Sequence, residues 1–239
     1  MGDGRPGEHR FNVTRKPIYF WLAAMIKRPV LVVGAGGHAK VVIDVIRLLE
    51  FDILFATDID TALHGTTIMG VNIAGADEHL STYAPSDIYL ANGVGAIAST
   101  QQRQATYEKY AAQGYEFLPL IHPDAVIAES AILSDGVQCM AGTIIQPEVQ
   151  LGKNTVINTR ASIDHDSEIG AHSFIGPGAV TGGSVKINAG AFIGTGAIIL
   201  PSVVIGENAV VGAGATVTRD LCIGERVAGN PASSLRSET

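Results

Sequence analysis

The sequence predicts an α/β domain of Rossmann-like half size followed by a parallel β-helix. Two observations carry that prediction. From Ile127 to Cys222 an aliphatic or small residue returns at every sixth position, with no insertion. Ahead of it, an apolar strand at residues 29–33 runs straight into a glycine-rich turn and a segment with helical spacing.

The period of six is the more specific signal. An α-helix repeats its apolar positions every 3.6 residues and a strand every 2, whereas a strict six belongs to a β-solenoid. Ile145, Leu151, Ile157, Ile163, Ile169 and Ile175 open successive sixes, and small or β-branched residues such as Ala161, Ser167 and Ala179 fill the fifth position. Three sixes make one triangular coil of 18 residues, with the openers stacked in a narrow core.

At the other end of the chain, residues 1–24 read as an extension outside the folded domains. They are polar and Gly/Arg-rich up to Lys16 and apolar over 18–24. Basic residues before an apolar run also fit a secretory signal, but Lys27 and Arg28 follow at once and no small-residue cleavage site is clear. Met25 is an alternative start.

Residues 25–118 form the α/β domain. The run 29–33 is continuously apolar, as in a strand covered on both faces. It leads into Gly34-Ala35-Gly36-Gly37-His38-Ala39-Lys40, after which Val41, Val42, Val45, Ile46 and Leu49 have helical spacing. Glycines allow close backbone approach, and a helix N-terminus offers N–H groups and a positive dipole end to phosphate. A second strand, 53–57, ends at Asp58, where dinucleotide-binding domains place an acid on a ribose hydroxyl. The literal reading is G-x-G-x-x-A and NAD. Three features favour another nucleotide diphosphate. The domain has room for only three or four strands, His38 and Lys40 add donors for a phosphate, and nothing downstream offers a hydride-transfer site. A turn that only packs helix on strand is the structural alternative. A third strand at 88–91 ends at Asn92-Gly93, so Gly93 joins Gly36 at the same edge. Residues 100–114 read as a helix with Arg103 near its start and Gly114 as C-cap. The boundary falls near Pro119, and 119–239 is the β-helix with a C-terminal loop.

Composition narrows the function. A net charge of −7 argues against a nucleic-acid surface. No apolar run approaches the ~18 residues of a membrane span. Cys139 and Cys222, several coils apart, make a disulfide unfavourable, with Cys139 serving as an apolar opener.

On the β-helix the distinctive cluster is Asp164-His165-Asp166. A carboxylate beside an imidazole fixes its tautomer and raises its basicity, which suits a general base. The alternative is a surface histidine in a charged turn. Gly183 lies 18 residues on, one coil away, in a Thr181-Gly182-Gly183-Ser184 turn that breaks the pattern. Base and backbone N–H donor on one edge is the geometry of acyl transfer. Thr195 and Ala213 share the same 18-residue spacing on another edge. His172 is the competing histidine. A trihistidine zinc site needs a close pair four apart, whereas His165 and His172 are seven apart and no histidine follows.

The Gly34–Val42 motif, the crossing Ile121-His122-Pro123 and the unbroken hexapeptides together resemble the bacterial hexapeptide-repeat sugar acyltransferases. These include the pilin-glycosylation and sialic-acid types, and the resemblance runs from about Lys27 to the C-terminus. It is nearest to the N-acetyltransferases of nucleotide-linked 4-amino sugars, GDP-perosamine enzymes first and UDP-4-amino-sugar enzymes next. The resemblance implies a left-handed β-helix, a homotrimer with acetyl-CoA between subunits, and no metal. It also implies a cytoplasmic enzyme serving lipopolysaccharide O-antigen synthesis. It places the catalytic base on His165 and its carboxylate partner on Asp166. The amide that meets the acetyl carbonyl falls on Gly183, and CoA contacts fall on Thr195, Ala213 and the terminal loop with Asn230 and Pro231. Nucleotide-sugar contacts fall on Gly36, His38, Lys40, Asp58 and Gly93. A second histidine of some relatives falls on Phe174, leaving His172 or nothing in its place. Sialic-acid-type O-acetylation is the alternative reaction.

Overall fold

The computed structural model describes residues 28–235. The extension at 1–24 and Met25 lie outside the described residues. The first strand, β1 (Val30–Val33), is buried along its whole length. Val30 and Val32 face one apolar cluster, while Leu31 and Val33 face another. That alternation is the strand's period of two, and it is why the run is apolar at every position. β1 lies between β2 (Ile53–Thr57) and β5 (Tyr89–Asn92), parallel to both.

The sheet has five strands rather than the three or four expected, in the order β3-β4-β2-β1-β5. The two strands beyond those at 29–33, 53–57 and 88–91 come from a hairpin that apolar patterning did not disclose. β3 (Thr67–Ile68) pairs antiparallel with β4 (Val71–Gly75) through two residues each. Helix α1 (Gly37–Leu48) begins inside the glycine motif, four residues before Val41. It buries Ala39, Val42, Ile43, Val45 and Ile46, while Val41 faces out. Each of its large buried side chains contributes about 1.5–3 kcal/mol. A single-turn α2 (Asp77–Leu80) and α3 (Gln101–Ala111) lie on the other side of the sheet. There Tyr107 and Tyr110 of α3 pack with Leu31, Val33, Leu90 and Phe117. No helix among the described residues is long and apolar enough to cross a membrane.

The chain leaves the sheet at Leu118, whose N–H donates to Leu90 O. It joins the solenoid at Leu120, whose N–H donates to Val137 O. From there it winds as a left-handed parallel β-helix. Residue i pairs with i+18, as in Ile145↔Ile163 and Ile157↔Ile175, until the last coil, where Ile205↔Leu221 and Val211↔Val227 are 16 apart. The openers form one continuous aliphatic core from Ile121 to Val227. Gly136 and every sixth residue after it to Gly214 take positive φ, including Asp166 at 57° and His172 at 62°. This left-handed residue turns each corner, which explains why Gly, Asn, Asp and Ser recur there.

The three faces differ in what their outward residues meet. The first carries Val126, Ile144, Ser162, Val180, Ile198 and Thr216 and is uncovered. On the second, Gln150, Glu168 and Lys186 form a polar stretch between the exposed Ile132 and Val204. The third carries Leu120, Gln138, Val156, Phe174 and Phe192, and the α/β domain packs on it.

Candidate active site

His165 sits at the corner between the first and second faces. Its backbone N–H donates to Asp164 Oδ1 at 2.8 Å. Asp164 N–H in turn donates to Thr181 Oγ1 at 3.2 Å. Thr181 replaces an aliphatic opener and is buried, so the break in pattern has a local cause: its hydroxyl anchors the His165 turn from inside. Asp166 then reaches the imidazole. Its Oδ2 lies 2.7 Å from His165 Nδ1. A carboxylate only accepts, so Nδ1 carries the hydrogen and the Nε2 lone pair is left for a substrate. This hydrogen bond holds the imidazole pKa above its usual 6.5, and the charge on Asp164 adds to the effect. The His165 side chain is 59% exposed.

Gly183 is stacked one coil away, and Ser184 N–H donates to His165 O at 2.8 Å. A Cβ on Gly183 would lie 2.6 Å from His165 Cε1 and 2.7 Å from Nε2. Only glycine leaves the ring its place. The neighbouring N–H groups of Gly182 and Ser184 are taken by Ile199 O and His165 O. The Gly183 N–H has no partner among the described residues and is a donor held beside the imidazole edge.

Thr195 and Ala213 share the corner between the third and first faces, where Gly214 N–H donates to Thr195 O. Both are exposed. They therefore lie across the first face from His165, not beside it. Asn230 and Pro231 are exposed at the last coil, where Gly229 O accepts from Thr216 N–H and Thr216 O accepts from Ala232 N–H.

In the α/β domain the predicted residues do not form one cluster. Gly36 caps α1 without a side-chain hydrogen bond, and Gly36, Gly37 and Lys40 are exposed around its first turn. Gly93 is buried, and a Cβ there would lie 2.5 Å from Gly34 O. It is a close-approach glycine that lets the ends of β1 and β5 meet. Asp58 Oδ2 accepts from Ala35 N–H at 2.6 Å, tying the acid to the glycine turn. A cleft of about 270 Å³ opens at these strand ends, lined by Gly34, Thr57, Asp58, Val94, Gln102 and Thr106 among others. The α3 residues Gln102, Thr106 and Lys109 were not among those expected. An excess of polar side chains along that helix was the available signal.

His38 corrects an expectation. It is not a free cation for a phosphate. Its Nε2 lies 2.8 Å from Gln138 Oε1, its ring packs edge-on to Phe174, and burial pushes its pKa down to about 4, with nearby Arg103 acting the same way. His172 is also placed elsewhere. It is buried at the corner between the second and third faces, 3.0 Å from Asn154 Nδ2 and edge-on to Tyr107, and so replaces no histidine beside His165. Phe174 stacks on Phe192 at a centroid distance of 5.6 Å under the α/β domain. Arg103, placed near a helix start by the sequence, has a role the sequence did not disclose. It is fully buried and donates to Asn92 O at 3.0 Å and Val94 O at 2.9 Å. Among the described residues no group of three His, Cys, Asp or Glu is placed to hold a metal ion.

Comparison with known proteins fits both halves of the chain. The PglD N-terminal domain profile matches residues 29–110, and the bacterial transferase hexapeptide profile (six repeats) matches 148–183 and 184–219. PerB from Caulobacter crescentus, solved with CoA and GDP-perosamine, is 35% identical. It superposes with a TM-score of 0.80 over 87% of this chain and 97% of that one. The acetyltransferase domain of PglB from Neisseria gonorrhoeae FA1090, solved with acetyl coenzyme A, is 33% identical with a TM-score of 0.82 over 88% and 100% of the two chains. WeeI from Acinetobacter baumannii AYE is 28% identical, with a TM-score of 0.76 over 87% and 100%. The bifunctional protein GlmU of Exiguobacterium sibiricum is 32% identical over 126 residues. That match takes in 45% of this chain and 28% of GlmU, so the chain spans little more than a quarter of that relative. The chain belongs to the hexapeptide-repeat sugar acyltransferases. It is an acyltransferase.

Proposed function

We propose that this enzyme transfers the acetyl group of acetyl-CoA to the C4 amine of a nucleotide-linked 4-amino-deoxysugar, with GDP-perosamine the favoured substrate. The observation that carries the mechanism is the His165 imidazole, held by Asp166 directly beside Gly183. The amine nitrogen attacks the thioester carbonyl carbon, and His165 Nε2 takes the proton that the nitrogen releases. The Gly183 N–H receives the oxyanion of the tetrahedral intermediate. Collapse breaks the carbon–sulfur bond, and the imidazolium returns its proton to the CoA thiolate. The products are the N-acetyl sugar and free CoA.

The α/β domain holds the nucleotide. The N–H groups at the start of α1, which has no side-chain cap, and Lys40 suit its phosphates, and Asp58 stands at the cleft for a ribose hydroxyl. Thr195, Ala213 and the loop with Asn230 and Pro231 line the path of CoA. His165 and Thr195 lie at opposite corners of the uncovered first face, so one ligand meeting both sets of contacts fits between subunits. A homotrimer packed through that face provides this arrangement. The supply of acetyl-CoA and nucleotide sugars places the reaction in the cytoplasm.

An acetyl-CoA-dependent assay across GDP-, UDP- and dTDP-linked 4-amino sugars, each beside its 4-hydroxy analogue, tests the reading. Turnover of a 4-amino sugar with no turnover of the 4-hydroxy compound is expected. Preference for the hydroxyl would identify an O-acetyltransferase instead. The His165→Ala protein is expected to lose about 10²–10⁴-fold in kcat, the usual contribution of a general base. Full kcat in that variant would overturn the assignment.

A further inference from the structure

We propose that Gln138, a residue of the β-helix, is a positioning residue for the nucleotide-sugar site: it locks His38 as the Nε2–H tautomer, so that His38 offers a bare Nδ1 acceptor to a hydroxyl or amine hydrogen of the sugar. The proposal rests on the reading of the α/β domain as the holder of a nucleotide sugar.

Gln138 occupies an outward position on the third face, yet it is only 1% exposed because the α/β domain covers it. Both ends of its amide are committed. Nε2 donates to Asn92 O at 2.9 Å, which fixes the amide's orientation. Oε1 therefore faces His38 Nε2 at 2.8 Å. An amide oxygen only accepts, so the hydrogen of the His38 ring sits on Nε2. The ring is neutral at pH 7, since burial and Arg103 hold its pKa near 4. Nδ1 then carries a lone pair. It has no partner among the described residues, yet it is not one of the buried side-chain atoms there that lack a partner, which are Arg103 Nη2 and Thr143 Oγ1, so it is not sealed from solvent.

A lone pair repels phosphate oxygens and attracts O–H and N–H. The phosphates are better served by the neighbouring α1 N–H groups and Lys40, which leaves His38 for the sugar. Gln138 also reaches the loop that leaves β5, whose Val94 lines the strand-end cleft. Asn92 O, its second partner, also accepts from Arg103 Nη1, and Asn92 Oδ1 accepts from Val94 N–H at 3.1 Å. One glutamine thus joins the histidine of the glycine turn to the loop that leaves β5. Neither the glycine motif nor the hexapeptide pattern requires a glutamine here.

The test is a long-range ¹H–¹⁵N correlation spectrum of the ¹⁵N-labelled enzyme at pH 7, with His38 assigned by its loss in His38→Asn. The Nε2–H tautomer is expected in the native protein. In Gln138→Leu a mixture of tautomers is expected, with KM for the nucleotide amino sugar raised about tenfold and KM for acetyl-CoA changed less than about twofold. Gln138→Glu keeps an acceptor opposite Nε2 and is expected to keep the tautomer, which decides the matter if the leucine variant fails to fold. Hydrogen on Nδ1 in the native protein would overturn the proposal, as would an unchanged tautomer and sugar KM in Gln138→Leu. The spectrum needs no substrate, so it is read independently of whether any sugar in the panel is turned over.

Discussion

At the scale of single residues, two substitutions separate chemistry from folding. His165 is basic chiefly because of its hydrogen bond to Asp166, with Asp164 adding charge. As a base it must be neutral, so kcat should rise as pH passes through a value above the ordinary 6.5. Asp166→Asn removes the larger cause. The rise in a pH–kcat profile should then move to lower pH, and the plateau should fall by no more than the about 10²–10⁴-fold contribution of the base itself. A profile displaced to higher pH would contradict this account. Gly183→Ala tests the stacking. Its Cβ would overlap the imidazole at Cε1 and Nε2, so the ring must leave its place. A loss of about 10²-fold in kcat is expected, with the unfolding temperature nearly unchanged because His165 lies on an exposed corner.

Between elements, the α/β domain and the β-helix are joined by a buried polar seam. Arg103 and Asn92 come from one side and Gln138 and Asn154 from the other, with Thr100 Oγ1 donating to Gly190 O and Tyr107 to Asp135. Buried polar groups of this kind stabilise only when their partners are complete. Two histidines, half-buried His38 and buried His172, lie in the seam, and desolvation lowers both pKa values. Between pH 6.5 and about 4 the unfolded chain binds protons that folded His38 refuses. Stability is therefore fully present above 6.5 and declines as pH falls through that window. Urea midpoints measured across it should fall with acid, and the slope should flatten in His38→Gln. The sequence announced α3 but not its role. An arginine near a helix start reads as surface, since arginines are almost never fully buried unless paired. Arg103 is buried because backbone carbonyls of the β5 loop receive it, and no pattern in its own helix encodes those carbonyls.

For the whole molecule, the decisive surface is the first face of the β-helix. Val126, Ile144, Val180 and Ile198 point outward from it in one column, interrupted by Ser162, and are 40–55% exposed. The second face has an ion pair between Glu168 and Lys186, and the third is covered. An uncovered, largely apolar column running between the His165 and Thr195 corners is a surface that a copy of the same chain would bury. Light scattering of the native protein is expected to give the mass of the proposed homotrimer, and that of Val180→Asp with Ile198→Asp the mass of a monomer, with the β-helix signal in circular dichroism intact and activity abolished. An active monomer would separate the face from the site.

By itself the sequence determined the length of each coil, the inward row of aliphatics and the stacking of His165 beside Gly183. These are one-dimensional properties: with 18 residues per coil, position along the chain becomes position along an edge. The first strand and its glycine turn were legible for the same local reason. Only the tertiary structure decided which face the α/β domain covers. That contact brings together residues as far apart as His38 and Gln138, which no period links, and it makes an outward glutamine a buried one. It also turned His38 from a presumed phosphate donor into a neutral ring with one nitrogen committed. Charge and tautomer follow from desolvation and partners, and both are set where the two domains meet.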